Sequence, residues 1–274
     1  MPEPSAAAPR VVGVTAGPLF HRYVALGDSF TEGVGDPDPA RPNGLRGWAD
    51  RVAEVLAARA AGTDAGFGYA NLAIRGRKLE GVLAEQLEPA LALGPDLVSV
   101  YAGANDVLRP AVDLDGLVEK YDAALARLRA AGAHLVVWTA FDPGPTGVYG
   151  PVRGRFAVYN ELVREVAERH GATLVDFWRL REYRDARLWD ADRMHMSSAG
   201  HQRMAIEVLD RLGVPHDLVA LDVPALPELG RRARLAADLA WARSHAAPWV
   251  HRRLTGRSSG DTVDPRRPVL GPVE

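Results

Sequence analysis

Ser29 stands where a nucleophile could act, directly after the apolar run 23–26 that predicts the first strand of the chain. Ligands of open α/β sheets bind just outside the carboxyl ends of the strands. A serine hydroxyl reacts at neutral pH only when a base lies within about 2.6–3.2 Å and a third group orients that base. Among the eight histidines, only His195 follows an aspartate, Asp192, at three residues. These residues predict a set of nucleophile, base and acid.

Hydrogen-bond donors for an oxyanion also follow the predicted strands. The tetrahedral intermediate of acyl transfer needs two or three fixed donors, and losing one slows turnover about a hundred- to a thousandfold. The candidates are the backbone N–H groups of Ser29 and Gly76 and the side-chain amide of Asn105. Gly76 lets a substrate approach the main chain closely because it has no Cβ. We expect all three donors at one edge of the sheet.

The elements that must position these residues follow from the apolar pattern. Short β-branched runs alternate with longer segments whose apolar residues are spaced three and four apart. Such alternation predicts a parallel sheet with helices on both faces. The predicted strands are 23–26, 69–74, 97–101, 134–140 and 173–175. The fold class is therefore α/β, a flavodoxin-like three-layer α/β/α sandwich with a five-stranded parallel sheet.

Composition divides the chain into three regions. Residues 1–20, rich in Pro and Ala, predict a flexible N-terminal segment, and residues 21–213 hold the α/β domain with all candidate site residues. Residues 214–274 predict a linker, an amphipathic helix near 233–251 and a basic, disordered C-terminal tail. From Gly230 onward there are nine arginines and four acidic residues, which give this region a net charge of +5.

Overall composition excludes several classes of function. The 274 residues are 47% hydrophobic, and no stretch approaches the roughly 18 apolar residues of a membrane helix, so no transmembrane segment is predicted. The chain has no cysteine, which excludes disulfides, thiolate metal sites and a cysteine nucleophile. Its formal charge of −2 provides no overall electrostatic attraction to nucleic acid. No secretory signal pattern opens the sequence, so for a complete chain the cytoplasm is the expected compartment.

Four separated segments resemble the sequence blocks of the SGNH (GDSL-like) hydrolases. They are 27–29 for block I, 71–76 for block II, 103–106 for the G-x-N-D of block III, and 192–195 for the D-x-x-H of block V. Two positions depart from the family pattern: Phe30 stands where the name-giving motif has Leu, and Met196 where a proline often follows the histidine. The resemblance covers roughly residues 21–213.

The resemblance implies a catalytic triad of Ser29, Asp192 and His195, and an oxyanion hole formed by Ser29, Gly76 and Asn105. His195 would take the proton of Ser29 during attack on an ester carbonyl and return it to the leaving alkoxide. Water would then hydrolyse the acyl-serine, and no cofactor or metal is required. The predicted enzyme is a carboxylesterase or lipase-like serine hydrolase, and its predicted partner is a small-molecule ester with a short acyl or acetyl group.

Each motif alone also has an ordinary structural explanation. A strand followed by Gly-Asp-Ser is common turn chemistry, and Asn105 could simply cap a helix. The conjunction of four motifs at strand exits favours catalysis. Two alternatives stay open: an acyltransferase that uses the same triad, and a non-catalytic module whose basic tail binds membrane or nucleic acid. The sequence leaves acyl and alcohol specificity and the oligomeric state open.

Overall fold

The structure is a computed structural model that describes residues 17–146 and 149–273. Most of the N-terminal segment predicted to be flexible, residues 1–16, lies outside the described residues. The remaining four residues lead into the first strand, and Phe20 among them is buried in the core.

Six strands form one sheet in the order β5-β4-β3-β1-β2-β6. They are β1 Arg22–Gly27, β2 Gly68–Asn71, β3 Leu97–Tyr101, β4 His134–Trp138, β5 Thr173–Val175 and β6 Arg267–Gly271. Strands β1 to β5 are parallel, as predicted, and β6 runs antiparallel to β2. The α/β fold class is confirmed, and the sheet has one strand more than the five predicted.

The described residues form nine α-helices, several of which connect successive strands. They are α1 Ser29–Glu32, α2 Trp48–Ala60, α3 Leu79–Ala92, α4 Ala104–Val107, α5 Leu114–Ala130, α6 Arg153–His170, α7 Ser198–Leu212, α8 Arg231–Trp241 and α9 Ala247–Leu254. A π-helical turn, Ala242–Ala246, joins α8 to α9. Within the part of the chain that the structure describes, none of the helices combines the length and apolarity needed to cross a bilayer.

The helices cover the sheet on both faces and so form the predicted three layers. One core lies between the sheet and α3, α5 and α6, and it contains Leu125 and Phe156. The other lies between the opposite face and α2 and α7, and it contains Trp48 and Met204. Successive residues of β1 belong to the two cores in turn, as expected for a strand buried on both sides.

The parallel strands end level with one another at the edge where the site is predicted. Gly27 of β1 is in register with Tyr101 of β3. Strand β2 ends at Asn71, short of the predicted residue 74, although the N–H groups of Leu72 and Ile74 still donate to the carbonyls of Ala25 and Gly27 in β1, at 2.9 and 3.2 Å. The motif loops therefore leave from one edge.

The C-terminal region differs most from expectation. Residues predicted to be disordered include β6, which pairs with β2 and is an edge strand, the position in a sheet that tolerates a proline. Arg266, just before β6, is 5% exposed and anchors this strand to the domain. No local pattern signals the pairing, because the partner of β6 lies about two hundred residues earlier in the chain. The predicted amphipathic helix is present as α8, the π-helical turn and α9.

Candidate active site

Ser29 begins α1 immediately after a sharp turn at the end of β1. Gly27 has a φ of 149°, and a Cβ there would stand 2.5 Å from a neighbouring carbonyl oxygen. Gln86 holds the Gly27 main chain with two hydrogen bonds of 2.8 and 2.9 Å. Asp28 then caps α1 by accepting from the N–H of Phe30 at 3.1 Å. These contacts fix Ser29, which is half-buried, at the carboxyl end of β1.

Asp192 and His195 form the pair that their spacing predicts. The distance from His195 Nδ1 to Asp192 Oδ2 is 2.5 Å. The other carboxylate oxygen of Asp192 accepts from the backbone N–H groups of Met194 and His195, at 2.8 and 2.9 Å. Burial alone would raise the pKa of Asp192, but the hydrogen bond and charge of His195 outweigh it and hold this pKa well below its usual range. The carboxylate is therefore ionised and orients the imidazole.

The loop that carries this pair is strained at Arg193, whose φ is 59°. A side chain is uncommon in this left-handed region, and such residues cluster at functional sites. Arg193 N–H donates to the Asp190 carbonyl at 2.9 Å, and Asp190 N–H donates to the His195 carbonyl at 2.8 Å. This tight turn brings the side chains of Asp192 and His195 to the same side.

The His195 loop packs against the turn that closes α1. A Cβ on Gly35, whose φ is 97°, would stand 3.2 Å from the Cβ of His195. The same turn begins with the carbonyl of Ser29, which accepts from the N–H of Val34 at 3.1 Å. Ser29 and His195 therefore lie at the same edge of the sheet. In the described structure no direct hydrogen bond joins the two side chains, a contact that apo enzymes often close only in complex with substrate.

A second histidine near the site has a structural role. His201 is fully buried, accepts from the N–H of Trp48 through Nδ1 at 3.1 Å, and contacts the carbonyl oxygen of Val34 through Nε2 at 3.1 Å. Burial lowers the pKa of His201 to about 4. With both ring nitrogens engaged and the ring neutral, His201 ties α7 to the turn against which His195 packs, and it is no rival for the base.

The two remaining oxyanion candidates are Gly76 and Asn105, and the side chain of Asn105 binds the loop that contains Gly76. Asn105 Nδ2 donates to Asp28 Oδ2 at 2.8 Å and to the carbonyl of Arg77 at 3.1 Å. The three loops that follow β1, β2 and β3 are thereby tied together. Gly76 is exposed, with a φ of 75° that favours glycine. Because both amide hydrogens of Asn105 are engaged, an oxyanion would have to compete with one of these two acceptors.

Asp28 both caps α1 and binds the loop that follows β3, whereas its motif predicts only a role in the turn. Its two carboxylate oxygens accept from the Phe30 N–H and from Asn105, and the residue is 3% exposed. Burial raises the pKa of Asp28 to about 7, and the repulsion from Asp106 and Glu32 adds to the rise. The Phe30 N–H and the nearby His195 oppose it. Asp28 therefore titrates near neutral pH.

Two buried charged residues that the sequence analysis missed hold the loop after β2. Glu32, fully buried, accepts from the backbone N–H of Arg75 at 2.7 Å and forms an ion pair with its guanidinium. Arg266 donates to the Glu32 carbonyl at 2.7 Å and to Asp50 Oδ2 at 2.8 Å. Nothing in the local pattern distinguishes Arg75 from a solvated basic turn. Arg266 lies in the part of the chain predicted to be disordered.

Aromatic side chains line the edge beyond Ser29. The rings of Phe30 and Phe177 lie 5.7 Å apart, and those of Phe141 and Trp189 lie 5.5 Å apart. Trp178 follows and borders an open groove of about 320 Å³, with the Arg153 guanidinium 5.3 Å above its ring. Phe30 follows β1 and the other residues follow β4 and β5, so the aromatic wall and the groove lie at the carboxyl edge of the sheet.

Comparison with known proteins bears on this geometry. Residues 25–203 match the model of the GDSL-like lipase/acylhydrolase family. An acetylxylan esterase from Geobacillus stearothermophilus is 29% identical over 215 residues, which are 70% of this chain and 94% of that protein. A multidomain esterase from Ruminococcus flavefaciens is 29% identical over 121 residues, 43% of this chain. The chain spans only 16% of the length of that multidomain protein.

Solved structures agree in fold. The crystal structure of the acetylxylan esterase from Geobacillus stearothermophilus matches with a TM-score of 0.58 and 24% identity, over 71% of this chain and 95% of that one. An α/β hydrolase from the metagenome of Lake Arreo, Spain, matches with a TM-score of 0.56 and 29% identity, over 70% of this chain and 95% of that one. The family match stops at residue 203, so α8, α9 and β6 lie outside it.

Proposed function

This chain belongs to the GDSL-like lipase/acylhydrolase family, and we propose that it is a serine esterase that cleaves short acyl esters through an acyl-serine intermediate. The observation that carries the proposal is the short hydrogen bond between His195 Nδ1 and Asp192 Oδ2 at the edge where Ser29 lies. This bond assigns the proton of the neutral ring to Nδ1 and leaves Nε2 as the basic nitrogen. A base of this kind is what a serine nucleophile requires.

In the proposed reaction, His195 Nε2 removes the proton of Ser29 as Oγ attacks the carbonyl carbon of the ester. Asp192 stabilises the imidazolium that forms, because its carboxylate stays ionised. The imidazolium then protonates the leaving alkoxide, and the acyl group remains on Ser29. Water attacks the acyl-serine with His195 again as the base, and the acid and free serine are released.

The oxyanion formed in each step lies among the N–H groups of Ser29 and Gly76 and the amide of Asn105. Asn105 is held in place by Asp28, and its contact with the Arg77 carbonyl is the weaker of its two hydrogen bonds by length. We infer that the oxyanion replaces the Arg77 carbonyl as acceptor. Donors that are fixed before reaction stabilise the transition state without reorganisation.

Acetyl esters of sugars are the substrate class that this proposal favours. A relative that aligns over 94% of its length is named an acetylxylan esterase. We expect turnover of p-nitrophenyl esters to fall as the acyl chain lengthens from acetate to octanoate. Acetylated xylo-oligosaccharides should be deacetylated to acetate.

The test of the catalytic assignment is labelling by a fluorophosphonate probe, combined with p-nitrophenyl acetate hydrolysis, in wild type and Ser29→Ala. Ser29→Ala should lose the label and at least about a thousandfold of kcat, because no other group can form the acyl intermediate. Ser244→Ala is the matched control, since the Ser244 hydroxyl is bound to the Ala240 carbonyl in an exposed stretch of helix. If Ser29→Ala retains wild-type turnover, the assignment is wrong. Product analysis with added sugar or alcohol separates hydrolysis from acyl transfer.

A further inference from the structure

Helix α8 contacts the catalytic loop through three polar interactions. Trp241 Nε1 donates to the backbone carbonyl of Asp192 at 2.8 Å. The Arg193 guanidinium lies 5.0 Å from the centre of the Trp241 ring, and Arg193 Nη1 forms an ion pair with Asp238 Oδ1 at 2.8 Å. All three contacts reach the two residues that immediately precede Met194 and His195. The α8 residues that make these contacts, Asp238 and Trp241, lie outside the region matched by the family model, residues 25–203.

These contacts act on the strained position of the loop. Arg193 has a φ of 59°, and Asn43 is the only other non-glycine residue with positive φ among the described residues. Such a conformation is strained and persists only where the surroundings enforce it. Among residues 17–146 and 149–273, the side chain of Arg193 forms its ion pair and its ring contact with α8, and the carbonyl just before it is bound by the same helix. Helix α8 therefore helps to hold Arg193 at positive φ.

Helix α8 contributes little to the domain core. None of its residues is buried, and Leu235 and Leu239 on its outer face are 62% and 51% exposed. A helix that packs so loosely has a small effect on global stability, so changes in its inner contacts can be studied in a folded protein. Its defined polar contacts are made to the loop that carries the proposed acid and base.

We propose that α8 is a positioning element for catalysis: Trp241 and Asp238 hold the strained Asp192–His195 turn in the geometry that presents the imidazole to Ser29. The inference rests on the proposed esterase function. Trp241 touches neither substrate nor reacting atoms, and it acts through the carbonyl of Asp192 and the side chain of Arg193. Release of these contacts lets the turn relax and misaligns the base. A shift of about 1 Å in a catalytic group can slow turnover about a hundredfold.

The first test compares Trp241→Phe with wild type. Phenylalanine keeps an aromatic ring beneath Arg193 and removes the N–H donor together with the five-membered ring of the indole. We expect kcat for p-nitrophenyl acetate to fall about tenfold, with KM and the melting temperature unchanged. Leu239→Ala, on the exposed face of the same helix, is the matched control and should keep wild-type kcat. The downfield proton resonance of His195 Nδ1–H, identified by its loss in Asp192→Asn, should broaden in Trp241→Phe and stay sharp in the control.

The second test isolates the strain at residue 193. Arg193→Ala and Arg193→Gly both remove the contacts that the Arg193 side chain makes with α8 and keep the hydrogen bond from Trp241 to the Asp192 carbonyl, but glycine adopts positive φ without a steric penalty. If α8 enforces the strained turn, Arg193→Gly should retain several times the kcat of Arg193→Ala. Equal activities, or a slower glycine variant, would show that conformational strain at this residue does not matter and would overturn that part of the proposal.

The outcomes separate this inference from the proposed function. A wild-type protein that neither takes the fluorophosphonate label nor hydrolyses esters refutes the function itself. An active wild type with unchanged kcat and an unchanged His195 resonance in Trp241→Phe refutes the role of α8 and leaves the function intact. The resonance provides a measurement that does not depend on turnover. A fall in kcat accompanied by a sharp, unshifted resonance would also count against positioning of the imidazole.

Discussion

Replacement of Asp28 by asparagine tests whether a carboxyl group buried beside Ser29 titrates near neutral pH. Burial raises the pKa of Asp28 from 3.8 to about 7, so the folded protein holds a proton on this group that the unfolded chain releases. The protonated form is favoured by folding. The stability that Asp28 contributes is therefore fully present below pH 3.8 and is lost as the pH rises through about 7. Asparagine removes this dependence.

The magnitude follows from the two pKa values. One pKa unit corresponds to about 1.4 kcal/mol. Between about pH 5 and pH 8 the contribution of Asp28 to the free energy of unfolding should fall by about 3 kcal/mol. The difference in unfolding free energy between wild type and Asp28→Asn removes the contributions of all other titrating groups. This difference should decrease by that amount over the interval, whatever its absolute size.

Urea denaturation followed by tryptophan fluorescence at pH 5 and pH 8 measures this difference directly. Asp142→Asn is the control, since the hydrogen bond from Arg153 lowers the pKa of Asp142 to about 2 and its titration is complete below pH 5. The difference between wild type and this control should be the same at both pH values. A difference for Asp28→Asn that stays constant, or that increases with pH, would refute the conclusion that burial dominates the titration of Asp28.

Two further substitutions test how the loops are held. Arg266→Met should lower the free energy of unfolding by about 3–5 kcal/mol, because it removes the guanidinium bound to the buried carboxylate of Asp50 and leaves only the longer ion pair with Arg267, at 4.0 Å, among the described residues. Urea titration against the exposed Arg232→Met measures this, and an equal effect of the two would exclude an anchoring role. Gly103→Ala should lower the free energy of unfolding by at least about 2 kcal/mol and slow ester hydrolysis, because the φ of Gly103 is 94° and the new Cβ would stand 2.5 Å from the hydroxyl of Tyr159. Gly154→Ala, with nothing within 4 Å of its new methyl group, is the control, and a stable, active Gly103→Ala would contradict the close approach.

The fold could be predicted because the apolar patterns that specify its strands and helices are local and periodic. Strand β3 is apolar throughout and buried on both faces, and its predicted and observed bounds, Leu97–Tyr101, coincide. The candidate site could be predicted for a related reason. Parallel strands end at one edge, so residues that follow them must meet there. The close pairing of Asp192 with His195 confirms the contact that their three-residue spacing predicts. The catalytic role of the pair stays a prediction.

Features that depend on distant partners could not be predicted from the sequence. The short run of β6 contains a proline and shows no alternation, and it becomes a strand only because β2 offers an unpaired edge. The motif around Asp28 predicts that this residue caps a turn. The second hydrogen bond that Asp28 accepts comes from Asn105, which is 77 residues away. Similarly, nothing near Trp241 indicates that its indole N–H binds the carbonyl of Asp192. Such contacts are visible only after the chain has folded.

Strand β6 also governs how this protein can be divided. A fragment cut after residue 213, where the α/β pattern stops, would leave β2 as a bare edge with unpaired N–H and C=O groups. Exposed edge strands are templates for pairing between molecules. Such a fragment would lose its own C-terminal strand, and the exposed edge of β2 could pair with the same edge of a neighbouring copy, so it would self-associate. The family match ends at residue 203, whereas a fragment that stays monomeric must extend through β6, to Gly271.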